Sequence, residues 1–387
     1  MFDALIRHIR KQYKTDDFIP LHSPTFTETD RRYVLDAIDS TFVSSVGQYV
    51  DRFERDLAAY TGAAQAVATV NGTAALQAAL SVVGVKNGDE VITQPLTFVA
   101  TANAVSHLCA HPVFVDVDQD TMGLSPGALE QWLAANAQLQ HDPDGTIRAY
   151  NVNTNRRIAA ILPMHTFGHP CRIKHIVDIA GKWDLPVVED AAEALGSFAG
   201  STHCGLFGDL GIVSFNGNKT ITCGGGGAIL SKDANLASRA KHLTTTAKVP
   251  HPWEFDHDAI GYNFRMPNLN AALACAQLER LPDILREKRQ TAQQYKAFFA
   301  QTPWANFVEE PTGTWSNYWL CAIALKDPAL RNDLLEHTNQ AGVMTRPVWK
   351  LMPELDIYQD CQCGPIQNAV WLRERVVNLP SGVRSGE

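Results

Sequence analysis

The stretch AVATVNGTAALQAALSVV, residues 66–83, sets a short β-branched run against an apolar segment of helical length, with Asn-Gly-Thr between them. AVATV has the length and composition of a buried strand, and TAALQAALSVV those of a buried helix. The pairing recurs downstream: EVITQ (90–94) leads into FVATANAVSHL (98–108), PVFVDVD (112–118) into PGALEQWLAANAQ (126–138), and IAAILPMH (158–165) into CRIKHIVDIAGKW (171–183). PVVED (186–190) follows, and GIVSFN (211–216) and GAILSK (227–232) read as two further strands before a helix at NLASRAKHL (235–243). Such alternation predicts an α/β fold with a mostly parallel central sheet covered on both faces.

The pattern changes at KVPHPWEFDHDAIGYNFRMP (248–267), which has no clear period. Beyond it a helical region from Asn268 to about Ala300, then NYWLCAIAL and AGVMTRPVW, predict a smaller α/β unit. The expected division is therefore an N-terminal segment with a large domain over 1–250 and a smaller C-terminal domain over 251–387. HDPDGTIRAYNVNTNRR (141–157) is expected to form an exposed loop between helix and strand.

Composition narrows the class. The 387 residues carry 33 basic and 41 acidic side chains, a net charge of −8, with no continuous basic run to meet a nucleic-acid backbone. MFDALIRHIRKQYK opens with apolar residues at helical spacing broken by charge, unlike a signal peptide, and no apolar run reaches the length of a membrane helix. The expectation is a cytoplasmic protein without nucleic-acid or membrane partners. Eight scattered cysteines, the closest pair a C-x-C at Cys361 and Cys363, read as reduced thiols rather than a metal site.

Ligands of parallel sheets bind beyond the carboxyl ends of the strands, so the residues just after each run carry the chemistry. After AVATV, Gly72 and Thr73 precede a helix whose free amides and dipole suit a phosphate; Thr73 or Asn71 could equally be a simple cap. After EVITQ, Phe98 offers a flat ring to a planar ligand, or a core contact. After PVVED, Asp190 stands at a strand tip beside small residues, as a cap or as the partner of a buried cation. Lys219, in VSFNGNKTITCGGGGAI (213–229), is either a solvated surface charge or, partly buried, an amine able to form an imine with an aldehyde. Together an anion cradle, a stacking ring, a strand-tip carboxylate and a late lysine supply what pyridoxal 5'-phosphate requires. In that reading Asp190 keeps the pyridine nitrogen protonated, and Lys219 is both tether and proton carrier.

In this order the motifs NGTAAL, TFVATANA, PVFVDVD, PMHTFGHP, VVEDAAEALGS, SFNGNKTITCGGGGAIL and GYNFRMPNLNAALACAQL resemble the pyridoxal-phosphate-dependent nucleotide-sugar aminotransferases of the DegT/DnrJ/EryC1/StrS family. The resemblance spans nearly the whole chain. It implies fold type I, the aspartate aminotransferase-like fold, with Lys219 carrying the cofactor, Asp190 on its ring nitrogen and Phe98 on its face. It further implies that Gly72, Thr73 and Ser214 hold the phosphate and that His165 and Glu193 lie close to the cofactor, Glu193 standing where many relatives have Gln. Asn263 is expected to reach the phosphate of a neighbouring subunit, making a homodimer with shared sites. Many relatives read GEGG after the lysine where this chain reads CGGGG, so any role of that Glu is absent; relatives with His for the lysine are dehydratases, which Lys219 disfavours. MFDALIRHIRKQY, DSTFVSSVGQYVDRFE and SFNGNKTITCGGGG look like the subgroup that aminates C4 of a UDP-linked 4-keto-6-deoxy-N-acetylhexosamine with L-glutamate, on routes similar to those to legionaminic acid or bacillosamine. Arg265 and Arg346 could meet a diphosphate, or form surface ion pairs. The rivals are another pyridoxal-phosphate reaction, a non-catalytic sensor, and a dinucleotide loop whose glycine spacing CGGGGAIL does not match.

Overall fold

The computed structural model describes residues 1–384. Three helices, α1 (Phe2–Tyr13), α2 (Glu28–Asp39) and α3 (Gln48–Thr61), precede the first strand of the central sheet. That sheet contains seven strands: β1 (Gln65–Thr69), β2 (Glu90–Thr93), β3 (His111–Phe114), β4 (Ile158–Leu162), β5 (Val188–Asp190), β6 (Leu210–Ser214) and β7 (Gly227–Ser231). Their order across the sheet is β1-β7-β6-β5-β4-β2-β3, the two halves being joined where Ile161 bridges Val187 and Met164 bridges Asp190. Only β7 runs antiparallel to its neighbours. The mostly parallel sheet expected from the alternating pattern is present.

Period-two alternation distributes the core over both faces. Ala66, Ala68, Val213, Ala228 and Leu230 face a core with Phe53 and Leu57 of α3 and Phe215. Val67, Ile212 and Ile229 face the opposite core, with Leu76, Ala79 and Leu80 of α4 (Gly72–Val82), Val105 of α5 (Val99–Ser106) and Ala240 of α8 (Ala234–Thr244). At the far end α6 (Pro126–Asn136) and α7 (Ile173–Lys182) cover Ile92, Val113 and Ile161 with Leu129, Leu133 and Ile176. At about 25 cal/mol per Å² of apolar area removed from water, these faces supply most of the drive to fold.

The predicted boundary at residue 250 is not where the packing divides. Leu5, Ile6 and Ile9 form one stripe of α1 and join Tyr295, Phe299, Cys321, Ile323 and Leu379 in the core of the C-terminal unit. Conversely α9 (Asn268–Glu279) packs with α2, α3 and the large sheet. The expected helical region is present as two helices: Arg280 caps the end of α9, and α10 (Leu281–Phe299) carries Pro282 in its first turn, where a missing N–H is tolerated. The C-terminal unit adds an antiparallel sheet of Ala305–Phe307, Cys321–Leu325, Val376–Leu379 and Arg346–Pro347.

The expected exposed loop at 141–157 is largely a hairpin instead. Strands Ala137–His141 and Ile147–Asn151 pair in register through a turn in which Gly145 has φ 82°. Arg148 bonds Asp142 and Asp144 across that turn. Its polar residues hid a strand pair whose buried groups are few.

Candidate active site

The carboxyl ends of β1, β2, β4, β5 and β6 converge on a cavity of about 240 Å³. Gly72, Thr73, Phe98, Asp190, Glu193, Ser214 and Lys219 all line it. A wider groove of about 780 Å³ beside the N-terminal arm holds none of these residues.

The floor under the cradle explains the glycines. Asn71 caps α4, its Oδ1 accepting the Ala74 N–H at 2.8 Å, so the cap is Asn71 and Thr73 is left for the cavity. A Cβ on Gly72 would lie 3.0 Å from Ser214 Cβ and 3.1 Å from its Oγ, and one on Gly227 2.6 Å from the Asn71 carbonyl carbon. Gly72 and Gly227 therefore let the end of β6, the start of β7 and the amides of the helix N-terminus close on one small space.

Asp190 ends β5 at 3 % exposure, its Oδ2 accepting the Thr101 hydroxyl at 2.7 Å and its Oδ1 the Ala192 N–H at 3.1 Å. Burial pushes its carboxyl above the ordinary carboxylate range, and those two donors together with the charge of Lys219 pull it part of the way back. A cationic partner in the cavity would hold it ionised. Lys219 follows a turn in which its N–H bonds the Asn216 carbonyl at 2.9 Å. Its Nζ lies 3.1 Å from Glu193 Oε1 and 4.0 Å from the centre of the Trp319 ring. Glu193 is buried, its Oε2 accepting the Phe167 N–H at 2.9 Å, and burial pushes its carboxyl up to about 7. Phe98, half exposed, forms the lip, with its ring 6.2 Å from that of Trp349.

Two expected residues stand apart. His165 is fully buried and does not line the cavity; its Nε2 lies 2.9 Å from Glu189 Oε2 and its Nδ1 accepts the Cys171 N–H, so its ring belongs to a polar knot behind the sheet edge. The predicted cofactor contact by the His165 side chain is corrected accordingly, since those two bonds fix the ring away from the cavity; only its backbone N–H supports the Asp190 carbonyl, at 3.0 Å. Asn263 is exposed, outside its own chain's cavity, and its Oδ1 accepts the Arg265 Nε–H at 2.9 Å. Arg346 is also exposed and bonds Asn339 and the Thr345 carbonyl.

Thr101 and Trp319 escaped the sequence reading. Thr101 lay inside TFVATANA, one helical turn after Phe98, and that spacing could have found it. Trp319 comes from the C-terminal unit, a hundred residues beyond Lys219, and no local pattern links them. Its indole N–H bonds the Asn218 carbonyl at 2.6 Å, and neighbouring Asn317 bonds the Glu193 and Leu195 carbonyls and the Thr220 hydroxyl. The smaller unit thus holds the lysine turn.

All eight cysteines are free, and among the described residues no cluster of His, Cys, Asp and Glu could hold a metal ion. No described helix is long and apolar enough to cross a membrane.

A seven-stranded sheet of this order, with a buried strand-tip carboxylate facing a lysine across a small anion cradle, defines a pyridoxal-phosphate-dependent aminotransferase of fold type I. The sequence profile of the DegT/DnrJ/EryC1/StrS aminotransferase family matches residues 24–386, and the chain belongs to that family. It is 35% identical to the GDP-perosamine synthase of Escherichia coli O157:H7 over 366 residues, covering 94% of this chain and 93% of that one. The aminotransferase TlmJ of Streptoalloteichus hindustanus superposes with a TM-score of 0.83 at 26% identity, over 94% of this chain and 93% of that one. DesI, solved with its TDP-sugar product, does so with 0.82 at 28% identity, over 96% and 90%. The protein is a sugar aminotransferase, and pyridoxal 5'-phosphate is its cofactor.

The groups present fit that cofactor. The close approach at Gly72 leaves amides and a serine hydroxyl for a phosphate, Asp190 is a desolvated anion for a pyridinium, and Lys219 is the amine beside it.

Proposed function

We propose that this enzyme moves the amino group of L-glutamate to C4 of a UDP-linked 4-keto-6-deoxy-N-acetylhexosamine, giving a UDP-4-amino-4,6-dideoxy-N-acetylhexosamine for surface-glycan or nonulosonic acid synthesis. The observation that carries the amino transfer is the cavity in which Lys219, Asp190 and the Gly72–Ser214 cradle meet. The nucleotide and sugar rest on the likeness of residues 1–13, 39–54 and 214–227 to that subgroup. When bound, pyridoxal phosphate takes up the electron pair left when a carbon bearing an amine loses its proton. Asp190 would hold a proton on the ring nitrogen, and Gly72, Thr73 and Ser214 would hold the phosphate. Phe98 would press on the ring, and Lys219, once released, would carry the proton between the substrate carbon that bears the amine and the cofactor carbon C4' joined to the same nitrogen.

The second reading, favoured by the relative named GDP-perosamine synthase, is a GDP-linked keto sugar as acceptor. Incubating the loaded enzyme with L-glutamate and UDP-, GDP- or TDP-linked 4-keto-6-deoxy sugars in turn, with mass spectrometry of the products, separates the two. Amination of the UDP sugar is expected; amination of the GDP sugar alone would replace the first reading with the second, and amination of neither would remove both.

The same proposal includes a homodimer in which Asn263 reaches the phosphate held by the partner. Its support is the exposure of Asn263 together with apolar side chains left in water on either side of the chain's middle: Phe42, Val46, Trp253, Phe255 and Ile260. Light scattering of the wild type should give twice the chain mass, and Asn263→Ala should weaken cofactor binding about tenfold, the loss of one charge-assisted hydrogen bond. A monomer with unchanged cofactor affinity in Asn263→Ala would overturn it.

A further inference from the structure

Lys219 must be a neutral amine each time it acts as a base, and two groups are set against that amine. The Trp319 ring centre lies 4.0 Å from Nζ on one side, and Glu193 Oε1 lies 3.1 Å away on another. The lysine side chain is only 12% exposed, so water is a poor recipient for the surplus proton. Asp190 is a poor one too: both its oxygens already accept hydrogen bonds, from Thr101 and Ala192, and its charge is committed to the ring nitrogen.

Glu193 is placed differently. Its Oε2 is fixed by the Phe167 N–H, so the carboxyl group cannot swing away, and its Oε1 faces only the amine. Its main chain is fixed as well, the Glu193 carbonyl accepting from Asn317 Nδ2 at 2.8 Å.

We propose that Glu193 is the proton partner of Lys219, taking one proton from the ammonium so that the amine can act as a base, and returning it afterwards. The exchange balances: Lys219–NH₃⁺ and Glu193–COO⁻ become Lys219–NH₂ and Glu193–COOH, one N–H bond breaking and one O–H bond forming, with no electrons transferred. Burial makes the neutral carboxyl accessible near neutral pH. The charged and titratable groups around the pair act in known directions. Asp190 opposes ionisation of Glu193, Lys219 favours it, and His22 of the N-terminal arm senses the charge of Lys219. Glu193 acts through Lys219 and is a positioning residue in that sense. A glutamine there could keep the bond from the Phe167 N–H through its amide oxygen, but it would turn an NH2 donor toward Lys219 and could take no proton from it.

The inference rests on Lys219 carrying the transfer, not on which sugar is aminated, and its first test needs neither sugar nor cofactor. In cofactor-free protein, Lys219 is acetylated with limiting acetic anhydride across pH and quantified by peptide mass spectrometry against exposed lysines. Replacing the facing carboxylate in Glu193→Gln should move the midpoint of the Lys219 labelling curve to lower pH by about one unit or more, because an adjacent anion favours the charged amine. Glu193→Asp, which keeps the charge but withdraws it by one methylene, should move it in the same direction by less, and it carries the test if the Gln variant does not fold. In the loaded enzyme the rise of the glutamate half-reaction through about pH 7 should vanish in Glu193→Gln, whereas a purely structural role would scale the profile without removing that limb. Labelling curves that superimpose in wild type and folded variants would overturn the proposal, whatever the enzyme's acceptor.

Discussion

Gly72→Ala separates the anion cradle from everything else the site does. Gly72 opens α4 with φ outside the left-handed region, so its backbone accepts an alanine. Helix propensity favours alanine over glycine by up to about 1 kcal/mol in a helix interior, and by less in a first turn. Against this, the new methyl carbon would stand 3.0 Å from Ser214 Cβ and 3.1 Å from its Oγ. Carbon atoms prefer about 3.5–4.0 Å, so the overlap is roughly half an ångström and the pair must separate by that much. Such overpacking costs about 1–3 kcal/mol, and with the small propensity gain in a first turn set against it the cofactor-free protein is destabilised by less than about 3 kcal/mol.

The effect on the anion should be larger. The methyl group and the displaced Oγ intrude where phosphate oxygens would meet the helix amides, and each hydrogen bond to a charged group contributes about 1.5–3 kcal/mol. Loss of one or two of them raises the dissociation constant of pyridoxal phosphate at least about tenfold, since about 1.4 kcal/mol corresponds to a factor of ten. Titrating pyridoxal phosphate and pyridoxal into cofactor-free protein, beside denaturant unfolding of both proteins, checks this. Affinity for pyridoxal, which has no phosphate, should be unchanged. A pyridoxal phosphate affinity within twofold of wild type, or an equal loss for both ligands, would refute the cradle.

Other expectations follow from single contacts. Thr101→Val removes the hydroxyl that bonds Asp190 Oδ2 at 2.7 Å, so Asp190 should hold its proton more tightly and the acid edge of the glutamate half-reaction should move up by about one pH unit, read from stopped-flow absorbance. Lys288 is fully buried with its Nζ on His22 Nε2 and the Trp319 and Ser381 carbonyls, and burial lowers it to about 7 from an ordinary 10.5. Because the folded value is the lower one, the unfolded chain binds more protons between about pH 7 and 10.5; stability should rise with pH across that window by on the order of 5 kcal/mol, and Lys288→Met should flatten the slope of the denaturant midpoint.

Much of this architecture was written in local patterns. Each β-branched run followed by a helical segment became a strand of the sheet and its crossover, because burial on both faces demands continuous apolar strands. The cavity lining was legible for the same reason: Asp190 and Ser214 end their strands and Gly72 and Phe98 follow theirs, where chain topology places them. The glycine run that opens β7 carried a message that spacing motifs do not encode, namely that Gly227 must pass against the backbone of Asn71. What local pattern could not give was long-range packing. His165 looked like a site residue beside Met164 but turns into the pair with Glu189, and Trp319 arrives at Lys219 from another unit. The first helix likewise has the pattern of any amphipathic helix, and only the apolar surface that α10 and the C-terminal sheet form together decides that it packs against the C-terminal unit.

The most direct measurement is a two-stage transfer. Enzyme loaded with pyridoxal phosphate is treated with L-glutamate carrying a heavy nitrogen isotope, freed of glutamate by gel filtration, and then given a UDP-linked 4-keto-6-deoxy-N-acetylhexosamine. About one heavy nitrogen per Lys219 is expected on the sugar, held by the enzyme between the two stages, and none from Lys219→Ala. Heavy nitrogen on the sugar only when glutamate and sugar are present together, or equal transfer by Lys219→Ala, would contradict it.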